Sequence, residues 1–271
     1  AMHAGEVDVL LILGGNPAYT APADLDFASA LEKVPLRIHH SLYVDETSLR
    51  CHWHLPAAHL LESWSDAWAY NGVASPVQPL IAPLYDGRST HEVLAGILRS
   101  SVSGGREIIR AHWAQTWGLE DDDPVLERRW KQSLHDGIFV GTDPQQQQVS
   151  PDGTSELPAA RTADPGADSL QLVLRPDPSI WDGSLANNGW LQELPKPFTK
   201  LTWDNAALFS PATAQRLGIQ DEQVVTLSAG ERQLRAAALV LPGQADRCVT
   251  LHLGYGRNAA GRVGNGAGAN A

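Results

Sequence analysis

The last quarter of the chain, residues 203–271, constrains the fold more than any other part of the sequence. It begins with a short helix candidate at residues 209–218 that ends at a glycine. Three short segments of strand-like composition follow, with turn residues between them: 223–228, 233–240 and 248–253. Short strands around one short helix predict a compact β-barrel. The glycine-rich segment after the last strand carries polar side chains but no apparent catalytic apparatus.

The first forty residues predict a different architecture. Val9–Leu13 is a continuous apolar run, which is typical of a parallel strand covered on both faces. Residues 23–33 have apolar side chains at helical spacing, and residues 36–39 are a second strand candidate. Strand, helix and strand in succession indicate an open α/β sheet. The Gly-Gly-Asn-Pro segment at 14–17 lies where such sheets bind ligands, but it lacks nucleotide-binding spacing, so a tight turn is the favoured interpretation.

The middle of the chain separates these two parts. Residues 52–84 are rich in proline and predict a loop-rich surface, whereas 91–99, 106–119 and 124–134 predict amphipathic helices. Residues 142–168 are rich in Gln, Pro, Ser and Gly and predict a flexible linker or insertion. The predicted fold class is therefore α/β plus β-barrel, with an α/β domain at 1–141 and a barrel domain at 169–271.

Composition excludes several classes of protein. The chain has 31 acidic and 20 basic residues, a net charge of −11, which argues against a nucleic-acid partner. It has no apolar run long enough to span a membrane. Cys51 and Cys248 are too few for a disulfide framework or an iron–sulfur site built from this chain alone, and their pairing stays open.

The beginning of the sequence predicts a piece of a longer polypeptide. The single methionine, Met2, follows Ala1, as in an expression scar, and a buried strand begins soon afterwards. We therefore expect that any native targeting signal belongs to another part of the parent protein.

Metal-ligand chemistry is concentrated in one place. Cys51, His52 and His54 lie together, with His59 and Glu62 shortly after them. Their spacing does not place them on one helix face, and a zinc site needs three or four converging ligands, so a buried polar network is favoured over a metal. The sequence predicts no metal site and no catalytic residues, because no Ser/His/Asp or Cys/His order stands out.

A polar set near the C-terminus is the richer candidate site. Amide, hydroxyl and basic side chains recur there beside glycines that allow close backbone approach. The set comprises Asn187, Asn188, Trp190, Gln192, Lys196, Lys200, Thr202, Asn205, His252, Tyr255, Arg257, Asn265 and Asn270. Such residues suit a flat, phosphate-bearing ligand such as a pterin dinucleotide. The alternative, that they build turns and an interface, is slightly favoured.

Several long segments resemble a known family. The strings SPATAQRLGI, VVTLS and LHLGYGR are similar to the dinucleotide-binding barrel of molybdopterin oxidoreductases, and VDVLLILGGNPAYTAP resembles their preceding α/β domain. The resemblance implies a partial Rossmann-like domain followed by a double-psi β-barrel. Within this family, YVDETSLRCHWHLPAAHLLESWSDA, WKQSLHDGIFVGT and NNGWLQELPKPFTKLTWDNAALFSP most resemble the molybdopterin-oxidoreductase-like subunit of alternative complex III, a bacterial quinol-oxidising complex.

The resemblance implies a structural role in electron transport. Subunits of this kind have lost the molybdenum cofactor, and the iron–sulfur clusters lie elsewhere in the parent; no CxxC motif occurs here. The implied partners are iron–sulfur and haem c subunits on the periplasmic face of the cytoplasmic membrane. Cofactor contacts carry over, as vestigial contacts, to six positions: Asn205, His252, Gly254, Tyr255, Arg257 and Asn265.

The rival hypothesis is a catalytic molybdopterin oxidoreductase. In that case the six positions hold molybdopterin guanine dinucleotide, and the cofactor carries out the chemistry. The two hypotheses differ in one structural expectation. A working site needs Arg257 and His252 to face an open polar cleft between the two domains, whereas a cleft filled by Tyr255, Trp190 or the Gln-rich insertion contradicts catalysis.

Overall fold

The computed structural model describes residues 1–142, 148, 150 and 169–271. The predicted linker at 142–168 lies almost entirely outside the described residues. The helices and strands in the first half are, in chain order, β1 Val9–Leu13, α1 Pro17–Thr20, α2 Phe27–Glu32, β2 Leu36–Ser41, β3 Trp53–Pro56, β4 Ser65–Trp68, β5 Ala74–Val77, α3 Thr90–Ile97, α4 Gly105–Trp117 and α5 Pro124–Asp136. Three short 3₁₀ helices add Met2–Ala4, Ala23–Leu25 and Ser48–Arg50.

The second half contains most of the remaining strands. These elements are β6 Gln171–Arg175, α6 Gly189–Glu193, β7 Ala206–Phe209, α7 Pro211–Leu217, β8 Val224–Ala229, β9 Arg232–Val240 and β10 Cys248–His252. No helix in the described ranges is both long and apolar enough to cross a membrane.

A three-stranded parallel sheet forms the N-terminal part, in the order β1-β2-β3. Leu11 pairs with Ile38 across the first ladder, and Ile38 pairs with Trp53 across the second. The predicted strands in this part are confirmed, but the predicted helix at 23–33 is divided. Asp26 has a φ of 44° and interrupts it between the 3₁₀ turn and α2. Because parallel strands end at the same edge of a sheet, the loops that follow β1, β2 and β3 lie together at that edge.

The expectation of a loop-rich surface at 52–84 is wrong in part, because this segment contains three strands. β3 extends the parallel sheet, and β4 and β5 form an antiparallel pair with Asp66 opposite Pro76. Each strand has only four residues, which is too short for a period-two pattern to be distinct.

The helical middle of the chain packs around aromatic side chains. Trp113 of α4 stacks on Phe139 with ring centroids 3.9 Å apart, and Trp130 of α5 lies against the same ring at 6.2 Å. All three side chains are buried. The predicted helix at 124–134 corresponds to α5, which ends where Gly137 adopts the left-handed conformation at its C-cap. Trp113 and Trp130 therefore belong to the hydrophobic core of the helical region.

The C-terminal strands form a mixed five-stranded sheet in the order β6-β10-β7-β9-β8. β7 is parallel to β9, while β10 runs parallel to β6 and antiparallel to β7. Its core is built largely from small side chains, including Ala207, Ala236 and Ala238, around Phe209. Among the described residues β6 and β8 are the edges, so the strands form an open sheet with no ladder that closes it.

Candidate functional site

A cavity of about 470 Å³ lies at the carboxyl edge of the parallel sheet. The loops that follow β1 and β2 contribute Gly15, Asn16 and Leu42, and the C-terminal half contributes Asp182 and Arg257. Parallel sheets bind ligands at this edge because the loops after successive strands converge there. Arg257 thus faces a cavity between the two parts of the chain, which is what the catalytic hypothesis expects of this residue.

The Arg257 guanidinium is already engaged with protein groups. It donates to the Glu46 carboxylate, with Nη2 2.7 Å from Oε2 and Nε 3.3 Å from Oε1. Its Nη1 donates to the Gly183 carbonyl at 2.7 Å, and its Nη2 also donates to the Ala259 carbonyl at 3.1 Å. Arg257 is only 6% exposed. The side chain that a phosphate group would need is therefore saturated by intramolecular partners.

Glu46 receives more donors than Arg257 alone. The backbone N–H groups of Asn258 and Ala259 each donate to Oε1 at 2.9 Å, and Asn16 Nδ2 donates to Oε2 at 2.7 Å. Burial by itself would raise the pKa of this carboxyl group. The hydrogen bonds from Arg257, Ala259 and Asn16 outweigh burial and lower the pKa of Glu46 to about 2.

Tyr255 lies inside the protein rather than along a cleft. Its hydroxyl accepts a hydrogen bond from Lys196 Nζ at 2.6 Å, and its carbonyl accepts one from the Tyr19 hydroxyl at 2.6 Å. Lys196 in turn lies 3.6 Å from a carboxylate oxygen of Asp177, and both charged side chains are almost fully buried. Burial and the nearby carboxylates raise the pKa of Tyr255, so its phenol stays protonated.

Asn205 and Gly254 also make internal contacts. Asn205 Nδ2 donates to the carbonyls of His252 and Ala269 at 2.7 and 2.9 Å, and its Oδ1 accepts from the Ala269 N–H. Gly254 has a φ of 98°, and a Cβ there would lie 2.7 Å from the Gly183 nitrogen. These positions fold the glycine-rich C-terminal segment back onto the sheet.

Asn265 and the other predicted amides stabilise turns. Asn265 Oδ1 accepts from the Ala260 N–H at 2.6 Å, and Asn187 Oδ1 accepts from the Val263 N–H at 3.1 Å. Asn188 caps α6, and the buried Gln192 donates to the Ala186 carbonyl. These contacts support the alternative interpretation that the polar set builds turns. Trp190 is exposed and does not line the cavity that contains Arg257.

His252 lies in a different cavity from Arg257. That cavity has a volume of about 450 Å³ and is lined also by Arg175, Lys196 and Thr250. Burial lowers the pKa of His252, and the positive charges of Lys196 and Arg175 act in the same direction, so its imidazole is held neutral. The expected single cleft with both Arg257 and His252 on its walls is thus replaced by two separate cavities.

His54 of the histidine-rich segment joins a network around the buried His39 and Ser48, whereas His52 and His59 are exposed. His39 Nε2 faces the Gly15 carbonyl at 3.0 Å, and Ser48 Oγ lies 2.8 Å from His39 Nδ1 and 3.1 Å from His54 Nδ1. Because a carbonyl oxygen only accepts, His39 Nε2 carries the hydrogen. Among the residues that the structure describes, no three His, Cys, Asp or Glu side chains converge as metal ligands. Cys51 and Cys248 are free thiols.

Sequence reasoning missed Glu46, Asp177 and Tyr19. Each is a single polar residue in a segment without a motif. The partners of Glu46 and Tyr19 also lie 211 or more residues away in the chain. The only local signal was for Asn16, which follows β1 at the ligand-binding edge of the sheet. Long-range pairing of this kind leaves no period or motif in the sequence.

Comparison with known proteins shows the fold and one curated relative. No family model matches the chain. Acetylene hydratase from Pelobacter acetylenicus shares the fold with a TM-score of 0.68 at 14% identity, over 96% of this chain and 39% of that one. A curated relative, the menaquinone reductase molybdopterin-binding-like subunit of Nitratidesulfovibrio vulgaris, is 24% identical over 96% of this chain and 38% of its own length. Both similarities support the resemblance to molybdopterin oxidoreductases that the sequence predicts. The chain spans well under half of either protein.

Proposed function

We propose that the chain is the C-terminal, structural and cofactor-free part of a molybdopterin oxidoreductase-like subunit in a membrane-bound quinone or quinol complex. The name of the curated relative, a subunit of a menaquinone reductase that is only like a molybdopterin-binding protein, supports this assignment. The share of that relative which the chain covers, 38%, is consistent with a part of a larger subunit.

One observation carries the proposal: the residues expected to hold a dinucleotide have their polar atoms occupied by the protein. Arg257 is bound to Glu46, and a carboxylate at that position repels phosphate. Tyr255 accepts from Lys196, and Asn205 holds the backbone of the C-terminal segment. As the side chains stand, this set does not fit the role of a dinucleotide grip. We therefore interpret these positions as vestigial and assign no chemical step to the group.

The proposal also specifies the domain architecture of the chain and the complex to which its parent would belong. Residues 1–141 would form a partial Rossmann-like domain, 142–168 a linker, and 169–271 a double-psi β-barrel. The mixed sheet with parallel β7 and β9 is compatible with part of such a barrel. The parent would correspond to the molybdopterin-oxidoreductase-like subunit of alternative complex III on the periplasmic face of the membrane, with iron–sulfur and haem c subunits as neighbours.

A second candidate has one observation in its favour. The cavity of about 470 Å³ lies at the ligand-binding edge of the parallel sheet, with Arg257 and Asn16 on its walls. A catalytic molybdopterin oxidoreductase would place molybdopterin guanine dinucleotide there. Its binding would require Glu46 to leave Arg257, since both a phosphate group and the carboxylate need the same donors.

The deciding experiment is elemental and pterin analysis of the full-length parent, purified from its native membranes with its partner subunits. We expect iron but neither molybdenum nor pterin. Co-purification of haem c and iron–sulfur subunits would support the assigned complex. Molybdenum and pterin near one per chain would overturn the cofactor-free proposal and establish the second candidate.

A further inference from the structure

Glu46 is the centre of an unusually complete set of hydrogen-bond donors. Its two carboxylate oxygens accept from Arg257 Nε and Nη2, from Asn16 Nδ2, and from the backbone N–H groups of Asn258 and Ala259. Two of these donors are fixed main-chain groups and two belong to one guanidinium. This combination of a guanidinium with successive backbone N–H groups is the chemistry with which proteins bind oxyanions.

The donors are held in place by contacts that do not involve Glu46. Arg257 is anchored through the carbonyls of Gly183 and Ala259. A Cβ at Gly183 would approach Arg257 Cδ to 3.0 Å, so glycine permits the close packing of the guanidinium stem. Asn16 is oriented by Thr47, whose N–H and hydroxyl both donate to Asn16 Oδ1, at 3.1 and 2.7 Å. Removing the carboxylate alone would therefore leave the donors largely in position.

We propose that these groups form an oxyanion-binding site that the chain fills with its own Glu46 carboxylate, and that the site accepts phosphate when this carboxylate is removed. A tetrahedral phosphate offers at least as many acceptor lone pairs as the carboxylate it replaces. Access exists already, because Arg257 and Asn16 line the cavity of about 470 Å³. Asp182, the acidic group from the C-terminal half on that wall, accepts from the Ser184 N–H.

The inference goes beyond the proposed function, because it concerns one anion site in this chain and holds whatever cofactor the parent contains. It gives Glu46 a definite role. The residue belongs to the segment after β2, whereas Arg257, Asn258 and Ala259 belong to the C-terminal segment, 211 or more residues away. The carboxylate is thus a built-in anionic ligand that joins two distant parts of the chain.

The test is phosphate binding by Glu46→Ala, measured by calorimetry and by thermal unfolding, against sodium chloride of equal ionic strength. The matched control is Glu32→Ala, which removes a carboxylate paired with exposed Arg50. We expect the E46A midpoint to rise by about 3 °C or more once phosphate reaches roughly ten times its Kd. The wild type and E32A should show no rise beyond that in sodium chloride.

Two further variants make the outcome decisive. E46Q keeps the site filled by a side chain of the same size, so phosphate should not raise its unfolding midpoint. R257M in the E46A background removes the guanidinium donors, so the rise seen for E46A should be lost. An equal response in E46Q and E46A, or none in E46A, would overturn the proposal. If E46A does not fold in chloride, recovery of folded protein in phosphate supports the site, and failure to recover in either salt contradicts it.

Discussion

Two of the buried ion pairs in the described part of the chain differ in what they join and in what surrounds them. Glu46 and Arg257 are 2.7 Å apart, come from opposite ends of the chain and adjoin a cavity. Asp177 and Lys196 are 3.6 Å apart, lie within the C-terminal half and have side-chain exposures of 0% and 4%. The first pair is therefore a junction between two distant segments of the chain, and its Glu46 carboxylate is the ligand that we propose phosphate can replace. The second is the more deeply buried pair, in which each charge depends on the other, and its Lys196 lines the cavity that contains His252.

The largest expected effect on stability is at the more deeply buried pair, Asp177 and Lys196. Lys196→Ala leaves the Asp177 carboxylate buried without its counter-charge and removes the donor to the Tyr255 hydroxyl. We expect a loss of about 3–5 kcal/mol in the free energy of unfolding, measured by urea denaturation. Lys131→Ala, an exposed lysine in α5, should change stability by only about 0.5 kcal/mol or less.

The double variant Asp177→Asn with Lys196→Met sharpens this result. Removing both charges eliminates the unpaired carboxylate, so the double variant should be more stable than K196A. A K196A variant within about 1 kcal/mol of the wild type would mean that water reaches Asp177 and screens its charge.

An intermediate effect is expected from pH at the junction. The pKa of Glu46 is lowered to about 2 in the folded protein, because its hydrogen bonds outweigh burial, and lies near 4.3 in an unfolded chain. Its contribution is therefore fully present above pH 4.3 and is lost as pH falls toward 2. Acid titration of unfolding should show a steeper decline for the wild type than for E46Q. Identical slopes would remove Glu46 from the acid response.

The smallest expected effect is at the contact that links the two pairs. Tyr19→Phe removes a hydroxyl that donates to the Tyr255 carbonyl, between the cavity that contains Arg257 and the more deeply buried pair. A loss of about 1 kcal/mol in thermal or chemical denaturation would fit a single partly buried hydrogen bond. Tyr85→Phe is the control, because Tyr85 is 85% exposed and should show almost no change. Equal effects from both variants would assign the loss to something other than this hydrogen bond.

Much of the secondary structure could be predicted because its signals are local. β1 is an uninterrupted apolar run, and the glycines after α5 and α7 end these helices in the left-handed conformation. The strands that were missed each have four residues and depend on pairing with a neighbour: β3, β4, β5 and β7. The break at Asp26 was missed for a similar reason, since helical spacing of apolar residues continues through it.

The candidate site could be predicted only in composition. The sequence identified Arg257, Tyr255 and Asn205 as a polar set of interest; the first two lie in the glycine-rich segment, and the structure shows Asn205 hydrogen-bonded to it. Whether they bind a dinucleotide stays a prediction. Their partners decide how available they are, and Glu46 lies 211 residues from Arg257.

The sequence by itself indicated the resemblance to molybdopterin oxidoreductases and determined the α/β beginning and the strand-rich end, because periodicity, turn residues and long characteristic strings are local features. Tertiary structure alone decided that Arg257 and His252 face separate cavities, that Tyr255 is buried against Lys196, and that Glu46 lies among the donors of Arg257, Asn258 and Ala259. The physical reason is that hydrogen bonds and ion pairs act over about 3 Å in space. The chain brings such partners together only by folding.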